Sequence, residues 1–64
     1  MFKTIRTYEL DFAVNEELTF EGIANLVVNN CTGNMMYEII GCGLNSGKHY
    51  DLRDAKKAIK RMAA

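Results

Sequence analysis

The side chains best suited to covalent chemistry are a thiol and an imidazole in the second half of the chain. Cys42 and His49 flank the turn-forming residues Asn45, Ser46 and Gly47. If Asn45 and Ser46 form a two-residue hairpin loop, the register places Cys42 opposite His49. An imidazole beside a thiol favours the thiolate, which is a nucleophile. No third side chain stands out to orient the imidazole, so the sequence favours structural roles for both residues.

Two other motifs that could carry chemistry do not match established spacings. Residues 41–48 (GCGLNSGK) are rich in glycine, but they fit neither G-x-G-x-x-G nor G-x-x-x-x-G-K-[ST]. Cys31, Cys42 and His49 supply three good ligands, whereas a structural zinc site needs four. We therefore predict no catalytic residues, no metal site, no cofactor and no enzymatic activity.

The clearest chemical pattern is a separation of charge along the chain. Residues 1–47 contain two basic and six acidic side chains, and residues 48–64 contain six basic and two acidic ones. The two segments therefore carry formal charges of −4 and +4, although the whole chain has no net charge. Such a polarised surface influences which partners a protein attracts.

Most of the positive charge lies on one predicted element, an amphipathic helix over residues 51–64. Asp51 can cap this helix, and Asp54 suits the positive end of its dipole. One face is apolar, with Leu52, Ala55, Ala58, Ile59, Met62 and Ala63 at helical spacing. The remaining arc carries the candidate partner-binding residues, which are Arg53, Lys56, Lys57, Lys60 and Arg61.

These five cations have three interpretations. They can contact an acidic protein surface, they can contact nucleic-acid phosphates, or they can form a solvated face whose stems cover the edge of the core. The zero net charge and the absence of an aromatic residue among the helix cations disfavour nucleic acid. We therefore predict a protein partner, with nucleic-acid binding as the alternative.

The helix must be supported by elements in the first 50 residues. Residues 3–14 predict a strand, since Tyr8, Leu10, Phe12 and Val14 alternate with more polar positions. Ile5 falls out of phase, so either it lies on the second face or a bulge near residues 6–7 resets the register.

Residues 20–29 predict a helix that begins after Thr19 as its N-cap. Leu18 and Ile23 occupy the positions of a hydrophobic staple. One arc of the helix is apolar, with Phe20, Ile23, Ala24, Val27 and Val28. A strand around residues 26–29 is the competing interpretation, because Gly22 and the β-branched residues Val27 and Val28 have low helix propensity.

Residues 35–44 predict a second strand, residues 45–47 a turn, and residues 48–50 a short third strand. The expected fold is α+β, with the order β-α-β-β-α. A two- to three-stranded sheet is then covered on one face by two helices. Residues 1–64 are expected to form one compact domain.

Size and composition narrow the function classes. A core of this size rarely supplies more than about 3–5 kcal/mol of stability. No apolar run approaches the roughly 18 residues that span a bilayer, and the first residues lack a signal-peptide pattern. The sequence thus predicts a cytoplasmic protein with reduced thiols and no membrane association. We expect a small, non-enzymatic protein-binding module, such as a bacterial or phage accessory protein that regulates or inhibits a host or cellular protein. A nucleic-acid-binding regulator and a homo-oligomer are the alternatives.

Overall fold

A computed structural model describes residues 1–63 of the chain. Its element order is β1 (Phe2–Ala13), β2 (Thr19–Asn29), β3 (Met35–Gly41), β4 (Leu44–His49) and α1 (Leu52–Ala63). The strands form one antiparallel sheet in the order β1-β2-β3-β4. Ala64, which the predicted domain and the predicted last helix included, lies outside the described residues.

The two ends of the chain fold as their local patterns indicate. β1 and α1 match the predicted strand and the predicted C-terminal helix to within two residues. Of the two explanations for the phase of Ile5, the bulge is present, but it lies between Thr4 and Arg6 and not near residues 6–7. The Asp51 carbonyl accepts a bond from the Ala55 amide, so Asp51 occupies the N-cap position.

The predicted helix over residues 20–29 is wrong, and so is the order β-α-β-β-α with two helices. These residues form β2, and the described chain has the order β-β-β-β-α. The chain reverses direction in a tight loop after β1. Asn15 closes this loop, since its Oδ1 accepts hydrogen bonds from the amides of Glu17 (2.8 Å) and Leu18 (3.0 Å). The loop returns the chain alongside β1, and β2 then pairs with β1 and β3 on its two edges.

The turn between β3 and β4 also differs from the prediction. It lies at Cys42 and Gly43, whose φ angles of 51° and 76° are those of a type I′ hairpin turn. The predicted strand over residues 35–44 therefore continued too far, and residues 45–47 belong to β4 instead of forming the turn.

Residues Ser46 and Gly47 form a bulge inside β4. The β3–β4 register shifts between Glu38 and Ile40, which leaves two β4 residues opposite Ile39. The Ser46 hydroxyl replaces the missing ladder carbonyl, because its Oγ accepts the Ile39 amide at 2.8 Å. The same hydroxyl donates to the Gly47 carbonyl at 2.7 Å, and Ser46 is only 6% exposed.

We expect Ser46→Ala to lower the free energy of unfolding by about 1–3 kcal/mol, since the buried Ile39 amide would lose its acceptor. Urea unfolding followed by far-UV circular dichroism measures this loss. Asn45→Ala is the matched control in the same bulge, since the Asn45 Oδ1 accepts the Gly47 amide at an exposed position where water can replace it. Equal losses for the two variants would contradict the role of the hydroxyl.

The core lies between α1 and one side of the sheet, here called the helix side. Its buried members are Phe20, Ala24, Ile39, Ala55 and Ile59. The opposite side, here called the open side, faces no helix within residues 1–63. Strand alternation places Val27 on the open side, where it is nevertheless buried.

Candidate cation surface

The five predicted contact residues lie on α1 away from its buried face. Arg53, Lys57, Lys60 and Arg61 are exposed, and Lys56 is half-buried. Ala55, Ala58 and Ile59 hold the helix against the sheet. The predicted helix and its division into a buried apolar face and a face that carries the cations are therefore confirmed. Whether they bind a partner stays a prediction.

Lys56 and Lys60 form the flank of α1 that approaches β1. Their Nζ atoms lie 5.7 Å and 6.0 Å from the centroid of the Phe12 ring. This geometry is that of a cation–π contact, and it anchors both ammonium groups beside the edge strand. The Phe12 ring packs in turn on Phe20, with 5.2 Å between the ring centroids.

The expectation that no aromatic residue lies among the cations holds for the helix but not for the folded surface. Phe12 comes from β1, far away in sequence, so no local pattern could reveal it. Both lysines cover the ring, and Phe12 is half-buried. It is therefore a support for the ammonium groups and not a free platform for base stacking.

The helix cations have no acidic partners within residues 1–63. The ion pair that the structure describes joins Lys48 to Glu38 at 3.6 Å, and it lies on the sheet. No carboxylate of the described chain lies within ion-pair distance of the five α1 cations. Their charge is thus available to a partner.

The fold converts the charge separation along the sequence into a separation across the sheet. Glu9 pairs with Ile23 and Asp11 pairs with Glu21, and strand alternation places all three carboxylates on the open side. Asp11 and Glu21 face each other directly, a like-charge pair that costs stability. The helix side carries the five α1 cations, and the open side carries Glu9, Asp11, Glu21 and Glu38.

Sequence reasoning missed two cations on the helix side, Lys3 and Arg6. Lys3 pairs with Val28, which lies four residues from the core residue Ala24 and therefore on the same side of the sheet. Arg6 pairs with Leu26, which lies two residues from the core residue Ala24 and therefore on the same side of the sheet. Arg6 thus shares the helix side with Lys56 and Lys60. Its register could be read only after the bulge at Ile5 had been located, because that bulge reverses the alternation.

The Cys42–His49 pair does not form. Cys42 lies in the β3–β4 turn, where its Sγ contacts the Glu21 carbonyl oxygen at 3.4 Å. His49 lies at the other end of β4, opposite Tyr37, and its Nε2 is 2.9 Å from the Ser46 carbonyl oxygen. The predicted pairing depended on a hairpin loop at Asn45 and Ser46, and moving the turn to residues 42–43 separates the two groups.

A concavity of about 460 Å³ lies between β1 and β2 on the open side. It is lined by Glu9, Leu10, Asp11, Glu21, Gly22 and Ile23. No group of three or more histidine, cysteine or acidic residues in the described part of the chain could hold a metal ion. Within residues 1–63, no helix is both long enough and apolar enough to cross a membrane. Comparisons with protein-family models, with curated proteins and with solved structures found no match for this chain.

Proposed function

We propose that this protein is a small, non-enzymatic binding module that contacts an acidic surface of another protein through Arg53, Lys56, Lys57, Lys60 and Arg61. A regulator or inhibitor of a cellular or host protein is the class that fits such a module. The observation that carries the proposal is the presence of five cations on one surface without a described acidic partner. Asp54 lies three residues before Lys57 on the same helix, but the two side chains do not form an ion pair.

The distribution of acids supports a protein partner over nucleic acid. Glu9, Asp11 and Glu21 lie on the open side, so a phosphate backbone that wraps around the sheet would meet them. A flat acidic patch on a protein can contact the helix side alone. The Phe12 ring beside the cations is covered by Lys56 and Lys60, so this ring offers no free face to an unstacked base.

Charge reversal at Arg53, Lys57 and Arg61 tests the proposal, because all three are exposed and none supports the core. We expect the triple substitution to glutamate to weaken partner binding at least tenfold while the fold remains intact. The immobilised protein captures candidates from native lysate, and calorimetry with each purified candidate measures the affinity. The matched control replaces each of the three cations by the other basic residue (Arg53→Lys, Lys57→Arg and Arg61→Lys), which keeps the positive charge.

Salt dependence separates the two partner classes. Binding to duplex DNA or RNA through several phosphates weakens steeply with salt, with a logarithmic slope of roughly −0.9 for each phosphate contact. A packed protein interface weakens less. Full retention of every captured protein by the glutamate variant would contradict the proposal. A gel shift with a steep salt slope would favour nucleic acid instead.

A further inference from the structure

We propose that the free edge of β1 binds an extended segment of a partner protein as an antiparallel fifth strand, with acidic side chains of that segment directed to the helix side. This inference extends the proposed function, because it names the shape and the charge pattern of the partner segment. It rests on three features of the structure, which are the direction of the β1 amides, the cations beside that edge, and the acids on its other side.

The first feature is a row of outward amides. The Val14 amide donates to the Leu18 carbonyl at 2.8 Å, which makes Ala13 and Thr19 a non-hydrogen-bonded pair. In an antiparallel ladder such pairs alternate with bonded ones, so the amides of Thr7, Glu9 and Asp11 point away from β2. No strand of the described chain lies beyond β1, and these donors are free for another strand.

The second feature is the cations that overlook this edge. The Phe12 ring is on β1 itself, and the ammonium groups of Lys56 and Lys60 lie over that ring. Arg6, near the middle of β1, and Lys3, near its other end, lie on the same side. A strand added beside β1 lies roughly 4.8 Å away. Lysine side chains are long and flexible enough to reach carboxylates on the helix side of that strand, and such carboxylates would complement them.

The third feature is the opposite charge on the other side of the same strand. Glu9 and Asp11 project to the open side, so open-side residues of an added strand must be neutral or basic. The edge therefore favours a segment with a period of two, acidic on one side and uncharged or basic on the other. Such a pattern sets the register of the added strand, since a one-residue slip exchanges the two sides.

A second copy of this chain does not meet that requirement through β1. Both acids of β1, Glu9 and Asp11, lie on the open side, and directly paired residues of neighbouring strands share a side. A closed antiparallel β1–β1 dimer has its two-fold axis perpendicular to the sheet, so the helix sides of both copies face the same way and no β1 carboxylate reaches Lys56 or Lys60. The occupant is a segment of a different protein.

Charges and bulges also protect edge strands from unwanted pairing, and β1 has both. The bulge at Ile5, however, affects only the beginning of the strand. Residues 6–13 pair with β2 in an unbroken register, and the chain contains no proline. Tyr8 is 40% exposed on the helix side of this stretch. The regular half is the part that faces the lysines.

The test uses a fluorescein-labelled peptide of about nine residues in which glutamate alternates with valine, a residue of high β propensity. Fluorescence anisotropy measures its affinity for the wild-type protein. A peptide of the same sequence with N-methylated valines carries the same charges but lacks half of its backbone donors. We expect the N-methylated peptide to bind on the order of tenfold more weakly, because it cannot complete the ladder.

Protein variants test the same edge from the other side. Glu9→Pro removes an outward donor without removing a β1–β2 bond, and Glu9→Ala removes the same carboxylate but keeps the donor. We expect Glu9→Pro to weaken binding of the unmethylated peptide on the order of tenfold. Glu9→Ala should bind at least as tightly as the wild type. Circular dichroism checks that both variants are folded.

The outcomes separate this inference from the proposed function. Equal affinity for both peptides, or no binding of the unmethylated peptide at about 1 mM, would overturn the fifth strand. Binding that tolerates Glu9→Pro but is lost on reversal of Arg53, Lys57 and Arg61 would overturn the edge and leave the helix surface in place. A wild-type dimer that Glu9→Pro dissociates in sedimentation would identify a second copy as the occupant, which also contradicts the inference.

Discussion

Ile59→Ala is expected to leave the protein largely unfolded at 25 °C. Ile59 has no exposed surface and lies in the core beside Ile39 and Phe20. Removing three carbons from such a site costs about 2–5 kcal/mol through lost burial and the cavity that remains. A core of this size supplies roughly 3–5 kcal/mol in total. The loss is therefore comparable with the whole stability of the domain.

Two-dimensional amide NMR and far-UV circular dichroism would show this loss as collapsed peak dispersion and reduced ellipticity. Two control substitutions on the same helix bracket the effect. Ile59→Val should cost about 0.5–1.5 kcal/mol and remain folded. Lys57→Ala, on the exposed surface, should change stability by less than about 0.5 kcal/mol. A cooperative, folded Ile59→Ala protein with a loss below 1 kcal/mol would contradict the packing of α1 on the sheet.

The substitution also connects stability with the proposed site. Ile59 and Ala55 fix α1 over β3 and β4, and this docking brings Lys56 and Lys60 over the Phe12 ring. Without that docking, the helix cations remain on the chain but lose their fixed position beside β1. A substitution that loosens the core should therefore weaken binding of a fifth strand at β1 more than it weakens electrostatic attraction between the helix cations and an acidic surface.

The elements that sequence reasoning predicted correctly are those specified by local signals. α1 has a capping aspartate, a regular apolar face and cations toward its C-terminal end. β1 shows clear alternation because only its helix side packs, whereas most of its other positions are exposed. In both elements one face meets the core, so the period of the pattern reveals the structure.

β2 was misassigned because it is a central strand that packs on both sides. Phe20 and Ala24 are buried on the helix side, while Val27 is buried on the open side. Burial on both sides removes the alternation that marks a strand, and here the apolar positions also fit one helical arc. Only the pairing with β1 and β3 settles the choice, and that pairing is not a local property of the sequence.

The β3–β4 turn was misplaced for a different reason. Asn45, Ser46 and Gly47 are typical turn residues, but the chain uses them in a bulge that offers a hydroxyl to the Ile39 amide. The turn itself contains Cys42, a residue that rarely adopts the positive φ found there. The candidate surface was predicted as far as α1 extends, whereas Arg6, Phe12 and the edge of β1 required the topology.

Gly22→Ala distinguishes the two interpretations of residues 19–29 by the sign of its effect. In a helix interior, alanine in place of glycine raises the free energy of unfolding by about 0.5–1 kcal/mol. In the sheet, a Cβ at Gly22 would overlap the Ile40 carbonyl oxygen and lie 2.9 Å from the Phe20 ring. Gly41 is equally close on the adjacent strand, where a Cβ would lie 2.8 Å from the Gly22 Cα.

We therefore expect Gly22→Ala to lower the free energy of unfolding by about 1–3 kcal/mol or more, as overpacked cores do. Urea unfolding measures the difference. Glu16→Ala, at an exposed position in the loop before β2, is the control, and it should change stability by less than about 0.5 kcal/mol. A gain in stability for Gly22→Ala would contradict the close approach of β2 and β3. A helix at residues 19–29 could not pair with β1, so such a gain would also contradict the β1 edge to which the fifth strand is proposed to bind.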